Sequence, residues 1–261
     1  MNKQVSQQTS QDTPQRTPLL LALESSSPVC SVALARLHES TAQMLAQHTF
    51  FQPNVHDNLL AFTTEHLLEQ LGYTIHDVSA VCVSAGPGSF TGLRIGAAFA
   101  KALCAEELLP TAITQTTPRL VAVPSLEALA WAARQTAQML GSQTIVAANI
   151  SHNTFAYCQR FTAQGEPLTA PELLDRETIV PEKHTCYCGT LFAPETLRIF
   201  ASEPHLYTVL PHFTQFSAEW IALRGAELYT RAMFADAATF VPLYVQEFVP
   251  KIAPLSHPAT L

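Results

Sequence analysis

Four of the nine glycines in this chain, Gly86, Gly88, Gly92 and Gly96, fall in one short window, Gly86-Pro87-Gly88-Ser89-Phe90-Thr91-Gly92-Leu93-Arg94-Ile95-Gly96. Glycine supplies positive φ and lets another backbone or a ligand come close, and Ser89 or Thr91 can cap a helix that follows. A Gly-rich turn that opens a helix is also an anion cradle, because unpaired N–H groups and the positive end of the helix dipole converge there. The spacing is neither G-x-x-x-x-G-K-[ST] nor G-x-G-x-x-G, so neither phosphate-loop fingerprint is present. The residues alone leave two readings open, a structural turn that permits tight helix packing and a ligand-contacting loop carrying Gly86, Gly88 and Ser89. Arg94, one turn into the expected helix, could grip a carboxylate or phosphate on a partner, or form a local salt bridge at the surface.

A second polar cluster, Glu24-Ser25-Ser26-Ser27, interrupts two apolar runs. Glu24 could serve as a general base or a magnesium-water ligand, or simply cap a turn at a strand end. His184, Cys186 and Cys188 are soft ligands, but zinc sites use C-x₂₋₄-C with a second pair, so the default is alternating strand residues and no metal. Ser89 lacks the G-x-S-x-G elbow of a nucleophile. No catalytic residue is assigned, and His56 is read as a helix-terminal residue.

The elements that must position these groups follow from hydrophobic periodicity. Leu19 to Leu23 and Cys30 to Ala35 flank the Glu24 turn as a hairpin. Asp57 to Leu71 has helical spacing and ends at Gly72, while Val78 to Ala85 reads as a strand leading into the Gly-rich loop and a helix from Leu93 to Leu108. Further on, Ser125 caps a helix, Thr144 to Ala148, Thr154 to Phe161 and Thr185 to Cys188 read as strands, and Ser217 to Phe234 is a helix containing Met233. The class is α/β, and no internal sequence repeat is visible. The 261 residues carry 14 Lys plus Arg against 21 Asp plus Glu, a net charge of −7, which excludes coating a nucleic-acid backbone without a partner. No apolar run reaches the roughly 18 residues of a membrane span, and the polar opening is no signal core, so the expectation is a cytoplasmic protein with six reduced, buried cysteines.

As a string, GPGSFTGLRIG resembles the hallmark of the TsaB family, the dimerisation subunit of the bacterial machinery that makes threonylcarbamoyladenosine in tRNA. LALESSSPVCSVAL (Leu21 to Leu34) is similar to that family's opening strand pair, and His56-Asp57-Asn58-Leu59-Leu60 to the start of its first helix. Pro124 to Ala130, Ser217-Ala218-Glu219-Trp220 and Val241-Pro242-Leu243-Tyr244 continue the resemblance in order. Asn149-Ile150-Ser151-His152-Asn153 departs from it, standing where the family usually has an acidic and a basic residue.

The resemblance implies an actin/Hsp70-like (ASKHA, ribonuclease H-like) two-subdomain fold, mixed sheets flanked by helices. Residues 1–18 and 251–261 are expected to be tails, 19–115 plus 215–250 an N-terminal-type subdomain, and 116–214 a second, degenerate one. The Glu24–Ser25 turn is then the relic of a phosphate-binding turn, and Glu24, Ser25, Gly86, Gly88, Ser89 and Arg94 are the ligand- or partner-contact candidates. No paired glycines follow Gly96, and the ten histidines contain no His-x-x-x-His pair of the kind that holds the metal in the related TsaD family. The expected function is a non-catalytic, dimerising subunit that supports a TsaD-like partner in transferring threonylcarbamoyl to N6 of adenosine 37 of tRNA. It would bind no cofactor alone, with ATP and a metal mainly on the partner, would work with a TsaE-like ATPase, and would be a homodimer when isolated. Small and apolar residues on the two N-terminal helices nominate Phe62, His66, Ala98 and Ala105 for a four-helix interface. The alternatives are a self-sufficient kinase-like ASKHA enzyme and a peptidase.

Overall fold

A computed structural model of the chain describes residues 17–52, 55–105, 117–152, 154–192 and 207–245. The run Leu19–Glu24 forms β1, and every residue in it is buried. A strand covered on both faces reads as continuous apolar sequence, and here Leu19, Leu21 and Leu23 enter one core cluster while Leu20 and Ala22 enter another. The strand β2 (Cys30–His38) returns antiparallel to β1 and β3 (Thr41–Phe50) antiparallel to β2. Strand β4 (Ala80–Ser84) then lies parallel to β1, and β5 (Arg119–Val123) parallel to β4. The order is β3-β2-β1-β4-β5.

Helices α1 (His56–Gln70) and α2 (Phe90–Leu103) cover the leucine-rich face of this sheet. After α3 (Ser125–Met139) the second sheet forms from β6 (Thr144–His152), β7 (Phe155–Thr162), β8 (Glu172–Asp175), β9 (Thr185–Cys188) and β10 (Tyr207–Val209). Its order, β10-β9-β6-β7-β8, read from the other edge repeats the first, with the same parallel and antiparallel pairings. The fold is therefore an ASKHA-like α/β architecture of two ribonuclease H-like units. The duplication, invisible as sequence, is a duplication of topology.

Helix α4 (Ala218–Thr230) returns to the alanine-rich face of the first sheet and packs on α3, joining the units. Arg224 is buried there, pairing with Glu127 of α3 at 2.9 Å and Glu227 at 2.8 Å, with its guanidinium 4.6 Å from the centre of the Trp131 ring.

Several expectations shift. Helix α2 stops at Leu103, where the Cys104 N–H is shared between the Ala100 and Lys101 carbonyls and the Ala105 N–H turns to that of Ala102, tightening the last turn; 106–108 lie outside the described residues. Helix α4 ends at Thr230, and Met233 lies beyond it. Ala232 takes the left-handed φ of 55°, with the N–H groups of Ala232 and Met233 bonded to Tyr229 and Leu228. This is a glycine-type stop without a glycine, so nothing in the local sequence announced it. Ser125 does not cap α3, whose N-cap is Pro124; its hydroxyl accepts the Gly86 N–H instead. Strand β5, assigned with 116–214 to the second unit, pairs with β4 in the first. The edge strand β3, half-exposed and mixed in polarity, had no apolar run to announce it. Residues 1–16 and the expected tail 251–261 lie outside the described residues.

Candidate functional site

Glu24 closes β1 and, with Ser25, Ser26 and Ser27, is buried. Its Oε1 accepts two hydrogen bonds, from the Ser26 N–H and the Ser26 hydroxyl, each at 2.7 Å. The Ser25 N–H donates to Ser84 Oγ at 3.1 Å, from the polar last residue of β4. Burial pushes the Glu24 carboxyl up to about 7, against the pull of its Ser26 hydrogen bonds. Glu24 Oε2 and Ser25 Oγ are buried without a hydrogen-bond partner.

The Gly-rich loop explains itself against this turn. Ser89 is the N-cap of α2: its hydroxyl accepts the Gly92 N–H at 3.3 Å, and its own N–H donates to the Ser26 carbonyl at 2.7 Å. A β-carbon at Gly88 would stand 2.1 Å from the Ser26 carbonyl oxygen, and one at Gly92 only 2.0 Å from that of Ser25. Both distances are shorter than any side chain tolerates, so these glycines let the start of α2 lie directly on the turn. Gly86 fixes the loop's base, exchanging hydrogen bonds with Ser125 through its N–H and its carbonyl. Of the two readings left open by the residues, close packing accounts for the spacing.

Beside this junction a cleft of about 510 Å³ opens between the two units. The first unit contributes Ser26, Ser27 and Pro28, the starts of α1 (His56, Asp57) and α2 (Gly88 to Gly92), and Ile95. The second contributes Asn149, Ile150, Ser151, His152 and Tyr157, so the segment that departs from the family pattern forms one wall. Two helix N-termini face the space, which suits a polar or anionic group. Among the described residues the lining nevertheless holds no Lys or Arg, and its one carboxylate is Asp57. Glu24 is not in the lining. Among the described residues no group of three His, Cys, Asp or Glu could hold a metal ion. ATP and its metal, which the fold class implies, fit poorly among the described lining residues: the helix N-termini are not joined by a cationic side chain for a triphosphate, and Asp57 is the single carboxylate there for a magnesium ion.

The remaining candidates lie outside the cleft. Arg94 is exposed, with its guanidinium 5.3 Å from the centre of the Phe90 ring. Phe62 and His66 stack on the outer face of α1 at 5.9 Å, with Phe62 64% exposed, and Ala98 is exposed on α2. Ala105 lies past the end of α2 and is half-buried, so it belongs to no face of that helix. Cys186 and Cys188 point into the same core cluster from β9, and all six cysteines are free and buried. Burial pushes the Cys30 thiol up to about 11 and that of Cys82 up to about 12.

Residues 43–169 match the family model described as TsaD: tRNA N6-adenosine threonylcarbamoyltransferase. The chain is 29% identical over 168 residues to the tRNA threonylcarbamoyladenosine biosynthesis protein TsaB of Haemophilus influenzae, covering 63% of this chain and 65% of that protein. It is 32% identical to the Escherichia coli protein of the same name over 91 residues, 35% of this chain and 37% of that one. A solved structure from Pseudomonas aeruginosa, described as an uncharacterized protein with similarity to peptidase YEAZ, superposes with a TM-score of 0.68 at 25% identity. It covers 88% of this chain and all of that one. The chain is therefore similar to proteins named TsaB and, over residues 43–169, to the TsaD family model. The alignments thus span about two thirds and about a third of the length of these two curated TsaB proteins.

The turn, the loop and the helix that join at the site were legible in the sequence. Ser84 was missed and Ser125 was read as a helix cap, whereas the hydroxyls of both receive N–H groups of the turn and the loop. The one signal for Ser84 was a hydroxyl ending an otherwise apolar run, Ala80-Val81-Cys82-Val83-Ser84. For Tyr157 and His56 in the cleft no local signal existed, since the cleft is made by juxtaposing two units.

Proposed function

We propose that this chain is a non-catalytic subunit of a complex that transfers threonylcarbamoyl to N6 of adenosine 37 of tRNA. It docks a TsaD-like catalytic partner through the outer faces of α1 and α2. The observation that carries this reading is the chemistry of the interdomain cleft: the place where an ASKHA enzyme would hold a nucleotide offers, among the described residues, helix N-termini and hydroxyls but neither a cationic side chain nor a pair of carboxylates. The partner then supplies ATP binding and the metal, a TsaE-like ATPase completes the set, and tRNA is reached through the complex. In isolation the same two helices pair with their counterparts in a homodimer, and the work is done in the cytoplasm. Among the described residues no helix is long and apolar enough to cross a membrane, which agrees with this location.

The kinase-like and peptidase alternatives lack chemistry on this chain. Ser89 spends its hydroxyl on the helix cap, and no base or orienting acid is placed against it. The test is reconstitution with purified components. The chain alone should neither turn over ATP nor cleave protein, while adding it to TsaD-like and TsaE-like partners with tRNA and ATP should raise threonylcarbamoyladenosine formation many-fold. Turnover by the chain alone, or unchanged modification without it, would overturn the reading. Ala98→Arg probes the docking face: the variant should fold as the parent does, since Ala98 is exposed, and should fail to assemble. Unchanged assembly by Ala98→Arg and by charged substitutions at Phe62 and His66 would remove the helical interface.

A further inference from the structure

A fully buried carboxylate with one unpartnered oxygen is costly, since a neutral or apolar residue of similar volume avoids the desolvation of the charge. Such a group persists where it holds something in place. Glu24 Oε1 takes both the N–H and the hydroxyl of Ser26, so it fixes the conformation of the Ser25–Ser26 turn. The Ser26 carbonyl in turn accepts the N–H of Ser89, which caps α2. The Ser25 and Ser26 carbonyls are the surfaces on which Gly92 and Gly88 rest. A single line of contacts thus runs from the Glu24 carboxylate to the first turn of α2, and further along the same rigid helix stands the exposed face of Ala98.

We propose that Glu24 is a positioning residue for α2: by fixing the Ser25–Ser26 turn it sets where the partner-docking face of that helix lies. The inference rests on the docking role given to α2 above. Shifting the turn moves the cap, the cap moves the helix start, and the face carrying Ala98 loses its register with a partner although neither Glu24 nor Ser26 touches that partner.

The experiment compares Glu24→Ala, Glu24→Gln and Ser26→Ala in the full chain, reading amide hydrogen exchange across α2 and affinity for a purified TsaD-family protein. Glu24→Ala should speed exchange in the first turn of α2, with core strand amides unchanged, and weaken partner binding about tenfold, the scale of losing buried hydrogen bonds. Glu24→Gln keeps an oxygen that can accept both Ser26 donors, so it should restore both readouts to within about threefold of the parent. General loss of stability would move every amide and would not be rescued in this pattern. Parental exchange and affinity in Glu24→Ala, or equal loss in Glu24→Gln, would overturn the proposal. Where Glu24→Ala does not fold, Ser26→Ala decides, with looser α2 exchange supporting the proposal and parental exchange overturning it. A parent chain that does not bind the partner at all would fail the docking role, while the exchange comparison would still decide the positioning one.

Discussion

Glu24 carries a carboxyl group with no exposure to solvent. Its carboxyl is pushed from an ordinary 4.5 up to about 7, with burial the largest cause, so the folded state holds a proton that the unfolded chain has released. For an acid raised in this way stability is fully present below the unfolded value and declines as pH rises toward the folded one. The window runs from about 4.5 to about 7. Glu24→Gln removes the charge and keeps the shape, so it should be more stable than the parent above pH 7 by about 3 kcal/mol as an upper scale. That advantage should shrink to nothing toward pH 4.5. Urea midpoints for both proteins from pH 5 to 8 check this, and a constant difference across the range would mean that ionisation of Glu24 is not what sets it. Burial and, after it, the charge of Glu24 push the Cys30 thiol up to about 11, so it stays protonated throughout the range.

Within the elements, two glycine-type positions behave in opposite ways. Gly92 sits inside α2, where alanine would ordinarily favour the helix by about 1 kcal/mol. With the Ser25 carbonyl 2.0 Å from the added carbon, Gly92→Ala should instead destabilise by about 1–3 kcal/mol, as overpacking does. Ala232 occupies the left-handed position just past α4 with a φ of 55°, so Ala232→Gly should stabilise by about 1 kcal/mol. Thermal unfolding of the two variants gives shifts of opposite sign; a stabilised Gly92→Ala would show that α2 does not rest on the turn. The contrast with Gly72 is instructive. That residue closes α1 at a φ of 72°, its N–H and that of Tyr73 bonding to Glu69 and Leu68, and glycine made this stop readable in advance.

At the scale of the whole molecule, the joint between the units is the α3–α4 contact centred on Arg224. Its guanidinium holds Glu127 across the joint and Glu227 on its own helix, against the Trp131 ring. Arg224→Ala removes the partner of Glu127 across the joint while Glu227 keeps Arg231 at 3.0 Å, and because both carboxylates retain some contact with water the cost should be about 3 kcal/mol, toward the lower end for a broken buried pair. A denaturant titration followed by tryptophan fluorescence measures it, and an unchanged midpoint would show that the apolar contacts alone hold the joint. The sequence by itself determined what depends on near neighbours along the chain. The hairpin at Glu24, the cap at Ser89, helix α1 with its glycine stop and the strand Thr185–Cys188 are written in local periodicity and turn chemistry. The motif string also carried the resemblance to TsaB proteins. Only the tertiary structure decided what depends on residues far apart in sequence. It placed β5 in the first sheet, revealed that the second sheet repeats the topology of the first, and turned Ser125 from a cap into a support for Gly86. It also set the glycine loop on the Ser25–Ser26 carbonyls and put Asn149 to His152 across the cleft from α1 and α2. Strand pairing, close backbone approach and burial of a carboxylate are properties of surfaces brought together by the chain's long-range contacts, and no spacing within a single segment encodes them.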